Sequence, residues 1–187
     1  MRKFLFSLVV IATIFTGCEG VSKQSAKVID SAVEGLEYQC SGDIGYTKSD
    51  GSMVCYFTPI GFKIGEIKVG VIKKVPGDGI ILPQDILNIS RSDIDNDNVK
   101  KLTILLQTLD EDNNPDNGIK LSKKDVQKLN IFIDLQKTSL EDFKETIEAL
   151  LEKDTVDENK ALNHLYNSMK KYNISEVKSI DSSYFVE

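Results

Sequence analysis

Tryptophan is absent from this chain, and histidine occurs once, at His164. A single histidine excludes a metal site built from several imidazoles of one chain. It equally excludes any catalytic set that needs a second histidine. The three cysteines, Cys18, Cys40 and Cys55, include no Cys-x-x-Cys pair, and no histidine stands near them, so redox and metal chemistry lack their usual spacing. There is no Gly-x-Ser-x-Gly elbow for a nucleophilic serine and no glycine-rich phosphate loop. Long basic runs are missing too, and the formal charge is −6. An acidic chain without a positive footprint argues against nucleic acid as a partner.

Long apolar runs are also scarce, with one exception at the start. Arg2 and Lys3 precede an almost unbroken apolar stretch from Phe4 to Phe15. The stretch is too short to span a bilayer and has the flanks of a removable export signal. Phe15-Thr16-Gly17-Cys18 looks like a lipobox, where a signal peptidase cuts before a cysteine that receives acyl chains, palmitate among them. Residues 1–17 are then a lipoprotein signal peptide. The mature chain begins at Cys18, with two further negative units once Arg2 and Lys3 are gone. Each buried methylene contributes about 0.8 kcal/mol, and more than one chain makes a stable anchor. The expected address is the bacterial cell envelope, lipid-anchored, with the outer membrane favoured where the cell has one. In that setting Cys40 and Cys55 are expected to pair as a disulfide. Closing a loop of this length stabilises by roughly 3 kcal/mol. Two reduced buried thiols, or one reactive thiol, are the alternative.

Periodicity divides the remainder. Residues 18–27 are small and polar and read as a tether. Residues 28–89 read as β structure: Leu36, Tyr38 and Cys40 alternate with polar neighbours, as do Met53, Cys55 and Phe57 after a turn at Lys48-Ser49-Asp50-Gly51. Regular turns and frequent glycine suggest an antiparallel, sandwich-like sheet. From about residue 97 the period becomes helical, with Val99, Leu102, Leu105, Leu106 and Leu109 on one stripe and Asp97 as the expected cap. Ser122, Ser139 and either Thr155 or Asp157 would cap three later segments. Strands first and three or four helices afterwards make the α+β class, with the helical portion, 90–187, packed on the sheet as one unit.

Oxygen-bearing side chains concentrate at Asp110, Asp112, Asn114, Asp116 and Asn117. Alternating oxygens suit a hard cation such as Ca²⁺, so Asp110, Asp112, Asn114 and Asp116 are the candidate metal ligands. The match to an EF-hand is poor: counted from Asp112, the sixth position is Asn117 and the twelfth Lys123. A solvated loop stiffened by Asx-turns is the competing reading. Asp93, Asp95 and Asp97 form a second acidic run at a helix start, where capping and solvation explain them. His164 lies on a helix beside Leu165, a position usual for a packed histidine. No catalytic residue is assigned.

Several segments together resemble a module found near the N-terminus of bacterial envelope lipoproteins and large surface proteins. They are Ser31-Ala32-Val33-Glu34-Gly35-Leu36-Glu37-Tyr38-Gln39-Cys40, Gly45-Tyr46-Thr47 with Gly51, Phe62-Lys63-Ile64-Gly65 with Gly70, and Leu82-Pro83-Gln84-Asp85-Ile86. The most specific is Leu105-Leu106-Gln107-Thr108-Leu109-Asp110-Glu111-Asp112-Asn113-Asn114-Pro115-Asp116-Asn117-Gly118-Ile119, an LLQTLDxDxxPxNGI motif. Ala161-Leu162-Asn163-His164-Leu165 ends the series. Lys100-Lys101-Leu102 departs from the pattern at the helix entry, and Met53 replaces an aromatic. The resemblance implies display at the cell envelope and no defined reaction. The expectation is a non-catalytic binding, adhesion or accessory module with an envelope or surface protein as partner. A small periplasmic enzyme or enzyme inhibitor, with a groove between sheet and helices, is the alternative.

Overall fold

The computed structural model describes residues 23–174, so Cys18 and the signal segment lie outside the described residues. The class is α+β, as the patterning predicts. Strands β1 (Gln24–Val28), β2 (Val33–Glu34), β3 (Glu37–Cys40), β4 (Asp43–Tyr46), β5 (Ser52–Cys55), β6 (Ile60–Ile64), β7 (Ile67–Ile72) and β8 (Ile80–Ile81) come first. Helices α1 (Pro83–Leu87), α2 (Asp97–Thr108), α3 (Lys123–Lys128), α4 (Leu140–Leu151) and α5 (Glu158–Lys171) follow, with a short strand β9 (Ile119–Lys120) between α2 and α3.

The strands form a three-stranded sheet β5-β1-β8, a four-stranded sheet β4-β3-β6-β7 and a two-stranded pair β2-β9. Most pairings are antiparallel; β1 with β8 and β2 with β9 are parallel. Two details depart from the sequence reading. The last tether residues, 24–27, belong to β1, where alternate burial of Ala26 and Val28 gives them a place in the core. And β9, inside the helical half, returns to pair with β2 of the first half, so the two halves share a sheet.

Local chemistry explains most boundaries. The β3–β4 hairpin turns at Ser41 and Gly42, both at positive φ (53° and 91°), the pair of left-handed residues that a tight two-residue turn requires. The turn before β5 closes with the Gly51 amide donating to the Lys48 carbonyl (2.8 Å). Each long helix starts at a polar cap. The Asn96 side chain accepts from the Asn98 amide, so the α2 cap stands one residue before the expected Asp97. Ser122, Ser139 and Asp157 cap α3, α4 and α5 as their spacing predicts.

The main core lies between the sheets, α2 and α4, and includes Val28, Leu36, Phe62, Ile64, Leu102, Leu105, Phe143 and Ile147. A second cluster joins Ile29, Leu82, Val99, Leu162, Leu165 and Met169 under α5. Helix α2 serves both, which is why it is buried nearly all round. Even Lys101 is 2% exposed. Its Nζ donates to the carbonyls of Leu135 and Thr138, and burial pulls its pKa down. Lys100, next to it, bridges Asp95 (2.9 Å) and Glu158 (2.8 Å) and so ties the start of α2 to α5. The acidic run at 93–97 is thus spent locally: Asp93 accepts from Asn96, and Asp95 pairs with Lys100.

Candidate functional site

β1 ends in a tight turn, Asp30-Ser31, closed by a bridge between Ile29 and Ala32. Ser31 holds a positive φ of 65°, uncommon for a residue with a side chain. The turn enters the protein interior rather than solvent, and the helical half supplies its partners. Gln107 of α2 donates from Nε2 to both Asp30 carboxyl oxygens (3.3 and 3.1 Å) and to the Ala161 carbonyl (3.1 Å). The Ser31 amide donates to Ser168 Oγ of α5 (3.2 Å). His164 Nε2 meets the Asp30 carbonyl (3.1 Å), Ser31 Oγ (3.2 Å) and Ser168 Oγ (3.4 Å). Its Nδ1 stands 3.3 Å from Asp116 of the acidic loop.

Asp30 is fully buried with no cation beside it, and burial pushes its carboxyl well above the ordinary range, with the Gln107 hydrogen bond opposing. Burial likewise lowers the His164 pKa, against the Asp30 carbonyl and Asp116. With its proton on Nε2, the neutral ring donates to the Asp30 carbonyl, its shortest contact; with the proton on Nδ1 it donates to Asp116 and Nε2 accepts from a serine hydroxyl. Asp116, His164 and Ser31 therefore stand in the order acid, base, hydroxyl. Ser31 is only 6% exposed, and its histidine nitrogen is shared with a carbonyl and a second serine. Such a set suits fastening a turn to a helix better than attacking a substrate.

The acidic loop is organised by the same logic. Asp110, 2% exposed, accepts the Asn114 amide (2.8 Å) on Oδ2 and the Lys120 amide (2.9 Å) on Oδ1. Asp112 accepts the Asn114 amide (3.0 Å) and the Asn117 side-chain amide (2.9 Å). Asp116 turns away to His164. Each carboxylate oxygen so engaged has one lone pair fewer to offer a cation. Among the described residues no group of three or more His, Cys, Asp or Glu is arranged to hold a metal ion. The hydrogen bonds are those of the alternative reading, a loop locked by Asx-type contacts. The loop borders a cleft of about 420 Å³ whose walls include Glu34, Ser49, Glu111 and Lys120, and Lys120 is already paired with Glu111 (2.5 Å).

Cys40 and Cys55 are joined in a disulfide, with Cα atoms 6.1 Å apart. They come from different sheets, β3 and β5, so the bond ties the four-stranded sheet to the three-stranded one. Cys18 is outside the described residues.

Sequence reasoning missed Asp30, Ser31, Gln107 and Ser168. Gln107 carried a signal, being polar on an apolar stripe, and Asp30-Ser31 interrupts an apolar strand. It also missed Arg91, whose guanidinium joins Asp78 (2.5 Å) and Asp85 (2.8 Å) across the start of α1. Arg91 and its two partners are scattered over fourteen positions without a period.

Of the motif residues that carry the resemblance, Gln107 and His164 reach the Asp30-Ser31 turn of the strand half, while Asp110, Asp116 and Ala161 bond within the helical half. Compared with known proteins, the chain matches no family model, no curated protein and no solved structure.

Proposed function

We propose that this is a lipid-anchored protein of the bacterial cell envelope that works as a non-catalytic binding, adhesion or accessory module. The observation that carries the reading is the N-terminal series Arg2-Lys3, the apolar run and Phe15-Thr16-Gly17-Cys18. The disulfide supports it, because such bonds persist in oxidising compartments. The burial of the polar junction supports the non-catalytic part, since its hydroxyls and carboxylates are committed to internal partners. The partner on this reading is the membrane, through the acyl anchor, together with an envelope or surface protein.

Metabolic labelling with an acyl precursor tests the proposal. Wild-type protein takes up label and Cys18→Ala does not; equal labelling of the two, or labelling of neither, overturns the lipoprotein reading.

A second reading, a small periplasmic enzyme or enzyme inhibitor, draws on the alignment of Asp116, His164 and Ser31. A fluorophosphonate probe that modifies Ser31 in wild type and not in His164→Ala would establish it. Absence of label in both rejects the serine-nucleophile form.

A further inference from the structure

The place where the chain enters the fold has a chemistry of its own. Gln24, the first residue of β1, pairs with Cys55, the last of β5. Directly after Cys55, Tyr56 and Phe57 are 53% and 49% exposed. The disulfide carries the same end across to Cys40, which pairs with Ile60 and Asp43, and Ile60 pairs with Ile72. One row inward, Ile44, Gln39, Gly61 and Val71 lie side by side across the four-stranded sheet and share its outer face. Ile44 and Val71 are 62% and 45% exposed. Lys73 and Lys74, both exposed, follow β7 at this same end, and the exposed Lys23 precedes β1. Four of the six large exposed apolar side chains among the described residues thus collect at the entry end with three lysines. The exposed acids there are Asp43 and Asp78, the latter carried beside β1 by Gly79 and paired with Arg91.

We infer that this end of the molecule, Tyr56, Phe57, Ile44 and Val71 ringed by Lys23, Lys73 and Lys74, lies against the anionic lipid surface that holds the acyl anchor. The inference rests on the proposed lipidation of Cys18. Five residues lie between Cys18 and Gln24, a reach of at most about 20 Å even when fully extended. An anchor so close to β1 holds the entry end at the bilayer. Aromatic rings are favoured at headgroup depth, and lysines there meet anionic headgroups. Charge runs the right way along the molecule. The Asp110–Asn117 loop lies beyond the far end of β1, which the five residues of that strand put roughly 13 Å from Gln24 at strand rise.

The absence of tryptophan makes a direct test available. The full lipidated chain carrying Phe57→Trp, or Phe132→Trp as a control, is reconstituted into phosphatidylethanolamine–phosphatidylglycerol vesicles containing a brominated-acyl quencher. Phe132 is exposed too, but follows Leu129, which packs on the β6–β7 turn at the opposite end of that sheet. Phe57→Trp emission is expected to fall by about half while the control changes little, as befits a ring at headgroup depth against one in water. Adding Lys73→Glu and Lys74→Glu reduces the quenching. Tyr56→Trp replaces the first reporter if Phe57→Trp does not fold, as judged by its melting curve. Acylated protein with equal quenching at both positions, or with none at either, overturns the orientation and leaves the lipoprotein reading standing. Unacylated protein overturns the lipoprotein reading and the orientation with it.

Discussion

The two ends of β1 solve the same problem in opposite ways. At Ser31 the chain is fastened by polar groups turned inward, and nearly every one has a named partner: Asp30 with Gln107, Ser31 with Ser168 and His164, His164 with Asp116. At Gln24 the fastening is covalent, through Cys40–Cys55, and the side chains around it face outward. The difference separates structure from recognition. Groups already satisfied inside the protein have little left to offer a ligand, however conspicuous they are in the sequence. Exposed apolar and aromatic groups without an internal role are the ones with free energy to gain from a partner.

Removing the covalent fastening should have the largest effect. Cys40→Ser with Cys55→Ser is expected to lose roughly 3 kcal/mol in urea unfolding, the value for a loop of this length. An unchanged midpoint would mean that packing alone joins the two sheets. Breaking the polar fastening comes next. Asp110→Ala leaves the Asn114 and Lys120 amides without their acceptor and should cost about 2 kcal/mol. By contrast, Phe57→Ser at the opposite end should stay within about 0.5 kcal/mol of wild type, as exposed substitutions do.

Asp30 gives the comparison a pH signature. Its folded pKa lies above its unfolded value, so the folded state holds the proton more tightly. Stability is then fully present below the ordinary aspartate range, about 4, and declines as the pH rises from there toward the folded pKa. Asp30→Asn should remove that decline, because the amide oxygen still accepts from Gln107 and never ionises. If wild type and Asp30→Asn show parallel stability profiles between acid and neutral pH, the buried carboxyl is not the source. The smallest expected effect is that of calcium: millimolar Ca²⁺ and chelator should give superimposable melting curves. A rise with calcium that Asp112→Ala abolishes would restore the metal reading.

The periodic features were legible before the structure. Alternation in Leu36–Cys40 and the stripe from Val99 to Leu109 report burial of one face, and Ser122, Ser139 and Asp157 stand where caps must stand. The β3–β4 hairpin escaped because β4 is only four residues long and buries neither face, with Ile44 and Tyr46 both exposed. Strand β9 escaped because two residues carry no period, and its partner β2 lies more than eighty positions away. The acidic loop was legible as a cluster of oxygens, with calcium binding and an Asx-turn loop both open. Spacing shows that oxygens gather, while only the fold shows that Asp110 points at the Lys120 and Asn114 amides.

Amide hydrogen exchange on calcium-free protein tests most directly whether the loop carboxylates are structural. The Asn114 and Lys120 amides donate to Asp110 in an otherwise exposed loop. They should exchange well below the rate of an open loop, and both should lose protection in Asp110→Ala. Exchange at open-loop rates without metal, with protection appearing only when calcium is added, would contradict the account.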